Sequence, residues 1–269
     1  MKSLSLAICL AAGVCMGAAV NRPDYDTLIA HRGESVDAPE NTLPAYNTAV
    51  SRGFGFECDI YLSSDKRLFT FHDRTLKRTT SGANTNACTA VDWATVSKLN
   101  VGGWGKWKGS KFDPTRPALL EEVLALARPG RKIYVEVKGD DPSWVPYIKA
   151  VFAKCQKATP ETVLFISFGR NVSYALKREM PEFKVYWLTG RVPSVAELLA
   201  ELRALGVDGI DIRFVPEKVT AEYISAIRRE GFEFHVWTID DPKVAAEAFR
   251  RGAQTVTTNR AKYILEALR

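Results

Sequence analysis

Phe54–Asp73 reads FGFECDIYLSSDKRLFTFHD, and the connection inside it decides the fold. Phe54–Tyr61 and Leu68–Phe71 are apolar, β-forming runs. Only Leu62–Arg67 lies between them, too short for the dozen or so residues that a parallel crossover requires. The two runs are therefore expected to be antiparallel neighbours, with Ser64-Asp65-Lys66-Arg67 as the turn. That turn sets Asp59 opposite His72, on one side of the hairpin with Cβ atoms about 5 Å apart. An acidic pair, Glu57 and Asp59, then shares a short unit with a histidine.

Around this hairpin the chain alternates. Further strand-like runs fall at Leu28–Ala30, Ile133–Val137, Val163–Phe168, Val185–Leu188, Gly209–Ile212, Phe234–Thr238 and Thr255–Thr257. Helical patterns separate them at Leu43–Ser51, Leu119–Ala127, Trp144–Lys157, Val172–Glu179, Ser194–Leu205, Thr220–Arg229 and Pro242–Arg250, with a last helix from Arg260. Such alternation indicates βαβ units and a parallel sheet, an α/β protein. Nine runs are one more than an eight-stranded barrel holds, and the returning arm of the hairpin is the surplus. It is expected to rise above the rim as an extension of the second barrel strand. With 269 residues, 46% apolar and 25% charged, the chain has material for one such core or two smaller ones. Between Arg74 and Pro117 the alternation lapses into a segment rich in Gly, Thr, Asn and Trp. A structureless loop of that length is unusual, so a small inserted subdomain or a lid is expected. Within it, Asp92 precedes one short capped helix.

Residues 1–19 are of another kind. Lys2, the apolar run Leu4–Val14 and the small Gly17-Ala18-Ala19 read as a cleaved signal peptide, which implies a secreted or periplasmic protein. A retained anchor and a lipoprotein site at Cys15 are the alternatives. Cleavage removes Cys9 and Cys15, and the remaining Cys58, Cys88 and Cys155 form no complete disulfide set. Cys58 alternates with Glu57 and Asp59 and is expected to pack on the opposite face. The formal charge of +6 falls by one with Lys2. A modest basic excess suits an anionic small molecule, and no basic run interleaved with stacking aromatics argues for nucleic acid.

Two of the three histidines, His31 and His72, lie just past a strand beside a charged residue. Barrel enzymes place catalytic groups at the carboxyl ends of strands, and a neutral imidazole is the natural proton carrier at neutral pH. His235 is read as a core histidine. Glu57 and Asp59 point to one side of their strand, about 7 Å apart, and Glu136 and Lys138 repeat the pattern in IYVEVKGDD. Three carboxylates converging in an apolar barrel repel unless a cation neutralises them, and oxygen-only ligands suit Ca²⁺ or Mg²⁺. Salt bridges with Arg32 and Lys138 are the alternative. Arg32 and Lys138 add positive charge to the same mouth, and with one divalent cation they make a phosphate site.

These residues also form a pattern. His31-Arg32-Gly33, Glu40-Asn41-Thr42, Glu57-x-Asp59, His72-Asp73 with Leu76 and Arg78-Thr79-Thr80, Glu136-x-Lys138 and Val236-Trp237-Thr238 resemble the glycerophosphodiester phosphodiesterases. The resemblance implies a TIM-type (β/α)8 barrel over residues 20–269, with a small inserted subdomain at about 74–117 after the hairpin. It implies metal ligation by Glu57, Asp59 and Glu136, acid/base chemistry by His31 and His72, and phosphate contacts from Arg32 and Lys138. Trp237 is similar to the family's aromatic wall beside the glycerol or head group. The reaction implied is hydrolysis of a glycerophosphodiester to glycerol 3-phosphate and an alcohol. A lysophospholipase D, a phosphoinositide-type diesterase on the same barrel, and a non-catalytic phosphometabolite-binding protein are the alternatives. The chain departs from the pattern at Thr257-Thr258-Asn259-Arg260-Ala261, where the family often carries Asp and Pro; that change is expected to touch the rim of the last strand and not a metal ligand. Trp104 and Trp107 with Lys106, Lys108 and Lys111 either pack the insertion or touch a membrane surface.

Overall fold

The structure is a computed structural model that describes residues 23–269, so the expected signal peptide lies outside the described residues. Among the described residues nine strands form one sheet: β1 (Leu28–Ala30), β2 (Gly55–Leu62), β3 (Leu68–Thr70), β4 (Ile133–Val137), β5 (Val163–Ser167), β6 (Val185–Thr189), β7 (Gly209–Arg213), β8 (Glu233–Trp237) and β9 (Thr255–Thr258). All pair in parallel except β3, which is antiparallel to β2, and pairing of β1 with both β2 and β9 closes the ring. This is a closed (β/α)8 barrel of the TIM type, with the hairpin arm as the ninth strand.

Local chemistry sets the connections. Helix α1 (Leu43–Ser51) starts where the Thr42 hydroxyl accepts from Ala45 N, with Pro44 in its first turn. Helix α2 (Trp93–Val96) is capped by Asp92. Helices α3 (Leu120–Leu124), α4 (Val145–Phe152) and α5 (Arg170–Glu179) follow, the first two shorter than their patterns suggest. After Phe152 the bonds tighten to i→i+3 spacing at Lys154 and Cys155, which ends α4 before Lys157. Helix α6 (Val195–Leu205) has a Ser194/Glu197 capping box and stops at Gly206, α7 (Ala221–Arg229) is capped by Thr220, and α8 (Pro242–Arg251) by Asp241. Helix α9 (Ala261–Ala267) closes the ring.

Two cores result. A large one lies between strands and helices and includes Cys58, on the opposite face from Glu57 and Asp59 as the alternation requires. A small one inside the barrel holds Ile29, Tyr134, Leu164, Ile166, Tyr186 and Leu188. His235 sits in that interior, stacked on Tyr186 at 4.3 Å and bonded through Nδ1 to Thr255 Oγ1 at 2.7 Å, a core histidine satisfied at one nitrogen, its Nε2 being buried without a hydrogen-bond partner.

The hairpin register differs by one residue from the expected one. Ile60 pairs with Thr70, Tyr61 with Phe69 and Leu62 with Leu68, and Phe71 N donates to Asp59 O at 3.1 Å. The loop is three residues, not four: Ser63 N donates to Arg67 O, and Lys66 takes the left-handed conformation at φ 66°. Phe71, not His72, therefore opposes Asp59. Pairing ends there, and the chain leaves the sheet to carry His72 into the barrel mouth.

The 74–117 segment carries α2 and two short 3₁₀ turns, Cys88–Ala90 and Gly105–Trp107. It is tied to the hairpin by Ser64 N to Val91 O and Trp93 N to Asp65 Oδ1, and to the loop after β1 by Lys106 Nζ to Val36 O. Its aromatics pack within the segment and on its cations: Trp107 meets Phe112 edge-on at 5.6 Å, and Arg78 lies over Trp104 at 5.0 Å.

Candidate active site

His31 N donates to Thr258 O at 2.8 Å, which sets His31-Arg32-Gly33 at the carboxyl end of the barrel. Arg32 bends the chain at φ 56°, in a region that costs a non-glycine residue about 1–2 kcal/mol. Gly33 follows at φ 79°, where a Cβ would lie 2.6 Å from the carbonyl carbon of Ala45. The bend aims Arg32 N–H at Glu57 Oε2 at 2.8 Å and Arg32 Nη1 at Glu40 Oε1 at 2.8 Å. Arg32 Nε, 3.6 Å from Asp59 Oδ2, is buried without a hydrogen-bond partner.

Glu57 and Asp59 on β2 meet Glu136 on β4, because the parallel register aligns Asp59 with Glu136. Each offers an oxygen, these oxygens lie within 4.8 Å of one another, and all three residues are buried. Asp59 is held from two sides: Asn41 Nδ2 donates to its Oδ2 at 2.7 Å, and Lys138 Nζ lies 3.1 Å from its Oδ1. Lys138 Nζ also donates to Glu136 Oε1 at 2.7 Å. Burial opposes ionisation of Asp59, yet Lys138 and Arg32 outweigh it and hold the carboxyl below its usual range. Burial, then the charges of Asp59 and Glu136, push Glu57 well up. Burial and Asp59 push Glu136 up to about 8 against the pull of Lys138. Two of the three carboxyls thus resist ionisation in spite of Arg32 and Lys138. The set fits a divalent cation: it is all oxygen, and Glu57 Oε1 is buried without a hydrogen-bond partner.

Both histidines are anchored through Nδ1. His72 Nδ1 lies 2.8 Å from Asp73 Oδ1, a carboxylate that only accepts, so Nδ1 carries the proton. His31 Nδ1 lies 2.8 Å from Asn259 Oδ1, and the Asn259 amide is fixed because its Nδ2 donates to Asp240 Oδ2 at 2.8 Å. Each neutral ring therefore keeps its lone pair on Nε2. Burial first, then Arg32, lower His31 to about 4; burial also lowers His72, against the charge of Asp59. His31, Arg32, Glu57, His72, Glu136, Lys138 and Trp237 border one cavity of about 240 Å³, and Asp59 lies fully buried behind them.

Residues 31–262 match the model of the Glycerophosphoryl diester phosphodiesterase family. The chain belongs to this family. A probable glycerophosphodiester phosphodiesterase 1 of Mycobacterium tuberculosis is 41% identical over 118 residues, 41% of this chain and 42% of that protein. The glycerophosphodiester phosphodiesterase of Caldanaerobacter subterraneus is 25% identical over 90% of this chain and 97% of its own. Among solved structures, an Oleispira antarctica phosphodiesterase in complex with sn-glycerol-3-phosphate superposes with a TM-score of 0.79 at 26% identity, covering 90% of this chain and 96% of that one.

The family pattern takes on physical content here. Asn41 of Glu40-Asn41-Thr42 clamps Asp59, accepting also from Asp59 N at 3.0 Å and Tyr46 Oη at 2.8 Å. Arg78 ties Glu40 to Asp73, which joins the Arg32 and His72 anchors in one ionic chain. The departure at Asn259 was expected to affect the rim of the last strand, and it spares the carboxylates. It nonetheless reaches the two cavity histidines, because Asn259 holds His31. Trp237 meets Phe168 edge-on at 5.6 Å and donates Nε1 to Asp211 O at 3.1 Å. Asp211 itself borders the cavity and escaped the sequence reading, although an acid in the centre of GIDIR carries the signal that marked Glu57 and Glu136.

Proposed function

We propose that the chain hydrolyses glycerophosphodiesters to glycerol 3-phosphate and an alcohol, using one divalent cation and two histidines. The observation that carries this reading is the meeting of three buried carboxylates with two histidines anchored at Nδ1 around one cavity. A cation on Glu57, Asp59 and Glu136 would act as a Lewis acid on the phosphate oxygens. Arg32, with an unpartnered buried Nε, and Lys138 are the phosphate contacts.

The two anchors differ in charge, and that supports distinct roles. Asp73 stabilises an imidazolium at His72, whereas the neutral Asn259 amide fixes the tautomer of His31 without favouring its charging. His31 Nε2 accordingly takes the proton from the attacking glycerol hydroxyl as its oxygen bonds to phosphorus. The bond from phosphorus to the alcohol breaks, and the leaving oxygen takes the Nε2 proton of His72, which enters this step as the imidazolium that Asp73 stabilises. Water then opens the cyclic phosphate with the roles reversed: His72 receives the water proton and His31 returns its own to the glycerol oxygen. A substrate with an acyl chain is a second reading, favoured by Phe168, which is 47% exposed beside Trp237.

The test is release of glycerol 3-phosphate from glycerophosphocholine by chelator-treated protein with Ca²⁺ or Mg²⁺ added back, with lysophosphatidylcholine in parallel. Metal-dependent release from the first substrate is expected; absence of release with either ion refutes the reading.

A further inference from the structure

The cavity has two chemical halves. Cations, histidines and carboxylates from β2, β4 and the loop ends beside them make one; Ile166, Phe168, Leu188 and Trp237 of the β5–β8 side make the other. Asp211, on β7, is the one ionisable lining group of that apolar half. In the ring β1-β2-β4-β5-β6-β7-β8-β9, β7 stands directly across from β2 and its acidic pair. Asp211 is 1% exposed, and its Oδ1 has no hydrogen-bond partner. It lies outside the cluster of Glu57, Asp59 and Glu136. A buried carboxyl oxygen without a partner is costly, and on an apolar wall it marks the place where a ligand supplies one.

We propose that Asp211 selects the glycerol end of the substrate, its carboxyl hydrogen-bonding the terminal hydroxyl, the one that does not attack phosphorus. This rests on the phosphodiesterase reading above. With phosphate held from the β2 and β4 side, the part of the substrate that crosses the mouth reaches β7. The half-exposed Phe168 marks the open end of the cavity, which leaves the closed end at Asp211 for the invariant glycerol and the open end for the variable alcohol. Burial, then the charge of Glu136, raise Asp211 to about 8. A carboxyl accepts from a hydroxyl in either protonation state and also donates to it when protonated.

The test compares kcat/KM for glycerophosphocholine and for its analogue with methyl in place of the terminal CH₂OH, which keeps the attacking hydroxyl. A site built around a hydroxyl can reject its deoxy analogue by ~10⁴-fold. Wild type is expected to prefer the natural substrate at least ~100-fold, Asp211→Leu to reduce the preference below ~10-fold, and Asp211→Asn to fall between. Calorimetry of glycerol 3-phosphate against propane-1,2-diol 1-phosphate on wild type gives the same comparison without a variant. Equal use of both substrates by wild type, or an unchanged preference in a folded Asp211 variant, overturns this assignment while turnover stands. No turnover of either substrate overturns the phosphodiesterase reading and the assignment with it.

Discussion

His31 and His72 carry the same ring on different anchors, and that difference sets the pH behaviour at the residue scale. In the proposed mechanism His31 must be neutral to accept a proton, and burial with Arg32 keeps it so down to about pH 4. Exchanging the polarity of its anchor in the double variant N259D/D240N preserves the hydrogen-bond complement and puts a carboxylate beside Nδ1. An adjacent opposite charge raises a histidine pKa by about 1–3 units. The acidic limb of kcat/KM is therefore expected to move at least about one unit to higher pH, as pH–rate profiles of the two proteins would reveal; coincident acidic limbs would remove His31 from the base role. His72→Ala is expected to lose about 10²–10⁴ in kcat, measured as glycerol 3-phosphate release at saturating substrate; wild-type turnover would exclude His72 from proton transfer. The histidines themselves were legible because few residues titrate near neutrality. Their anchor at Asn259 was not, since it lies 228 positions from His31, and neither spacing nor periodicity connects them.

At the scale of elements, the barrel was legible and the hairpin only in part. Alternation of strand and helix patterns gave every strand to within a few residues, because burial on both faces of a parallel strand imposes its own composition. The β2–β3 pairing was legible from the short connection, but its register was not. It turned on Lys66 adopting φ 66°, a conformation that no Gly or Asn there advertises. His72 reaches the mouth because pairing ends after Phe71, and what holds it there is the ionic chain through Arg78. Arg78 donates to Asp73 and Glu40 at 2.6–2.9 Å while resting on Trp104. Arg78→Met keeps the stem on the ring and cuts the chain. At 38% exposure such pairs contribute at most about 1 kcal/mol to stability, whereas misplacing a reacting group by about 1 Å costs roughly 100-fold in rate. Arg78→Met is therefore expected to lower kcat/KM about 10–100-fold with little change in Tm, and Arg78→Lys to recover only part because an ammonium lacks the fork. Thermal melting alongside steady-state kinetics separates the two effects, and a large fall in Tm with unchanged kinetics would make Arg78 purely structural.

On the scale of the whole molecule, the barrel concentrates like charge at its centre, and that shapes stability. Glu136 and Asp211 are each raised to about 8, first by burial and then by neighbouring carboxylates, and Glu57 is raised well above its usual range. In the unfolded chain these groups ionise near their ordinary values, so above about pH 4.5 the folded state retains protons that the unfolded state has lost. Stability from these groups falls as pH rises through about 8. The histidines act in the opposite sense: His31 at about 4 and His235 at about 3 make stability rise with pH up to their unfolded value near 6.5. The two effects compete below pH 6.5, and above it only the carboxyls remain. Metal-stripped protein is therefore expected to melt lower at pH 8.5 than at pH 6.5, by about 2–4 °C for each kcal/mol lost. A divalent cation binds the ionised carboxylates, so its uptake displaces their protons and strengthens as pH rises. The rise in Tm on adding Ca²⁺ or Mg²⁺ should consequently be larger at pH 8.5 than at pH 6.5. Melting curves at both pH values, with chelator and with each ion, measure this directly. A metal increment equal at the two pH values would mean that the cation does not sit among Glu57, Asp59 and Glu136, because nothing else in the described structure couples three buried carboxyls to one ion.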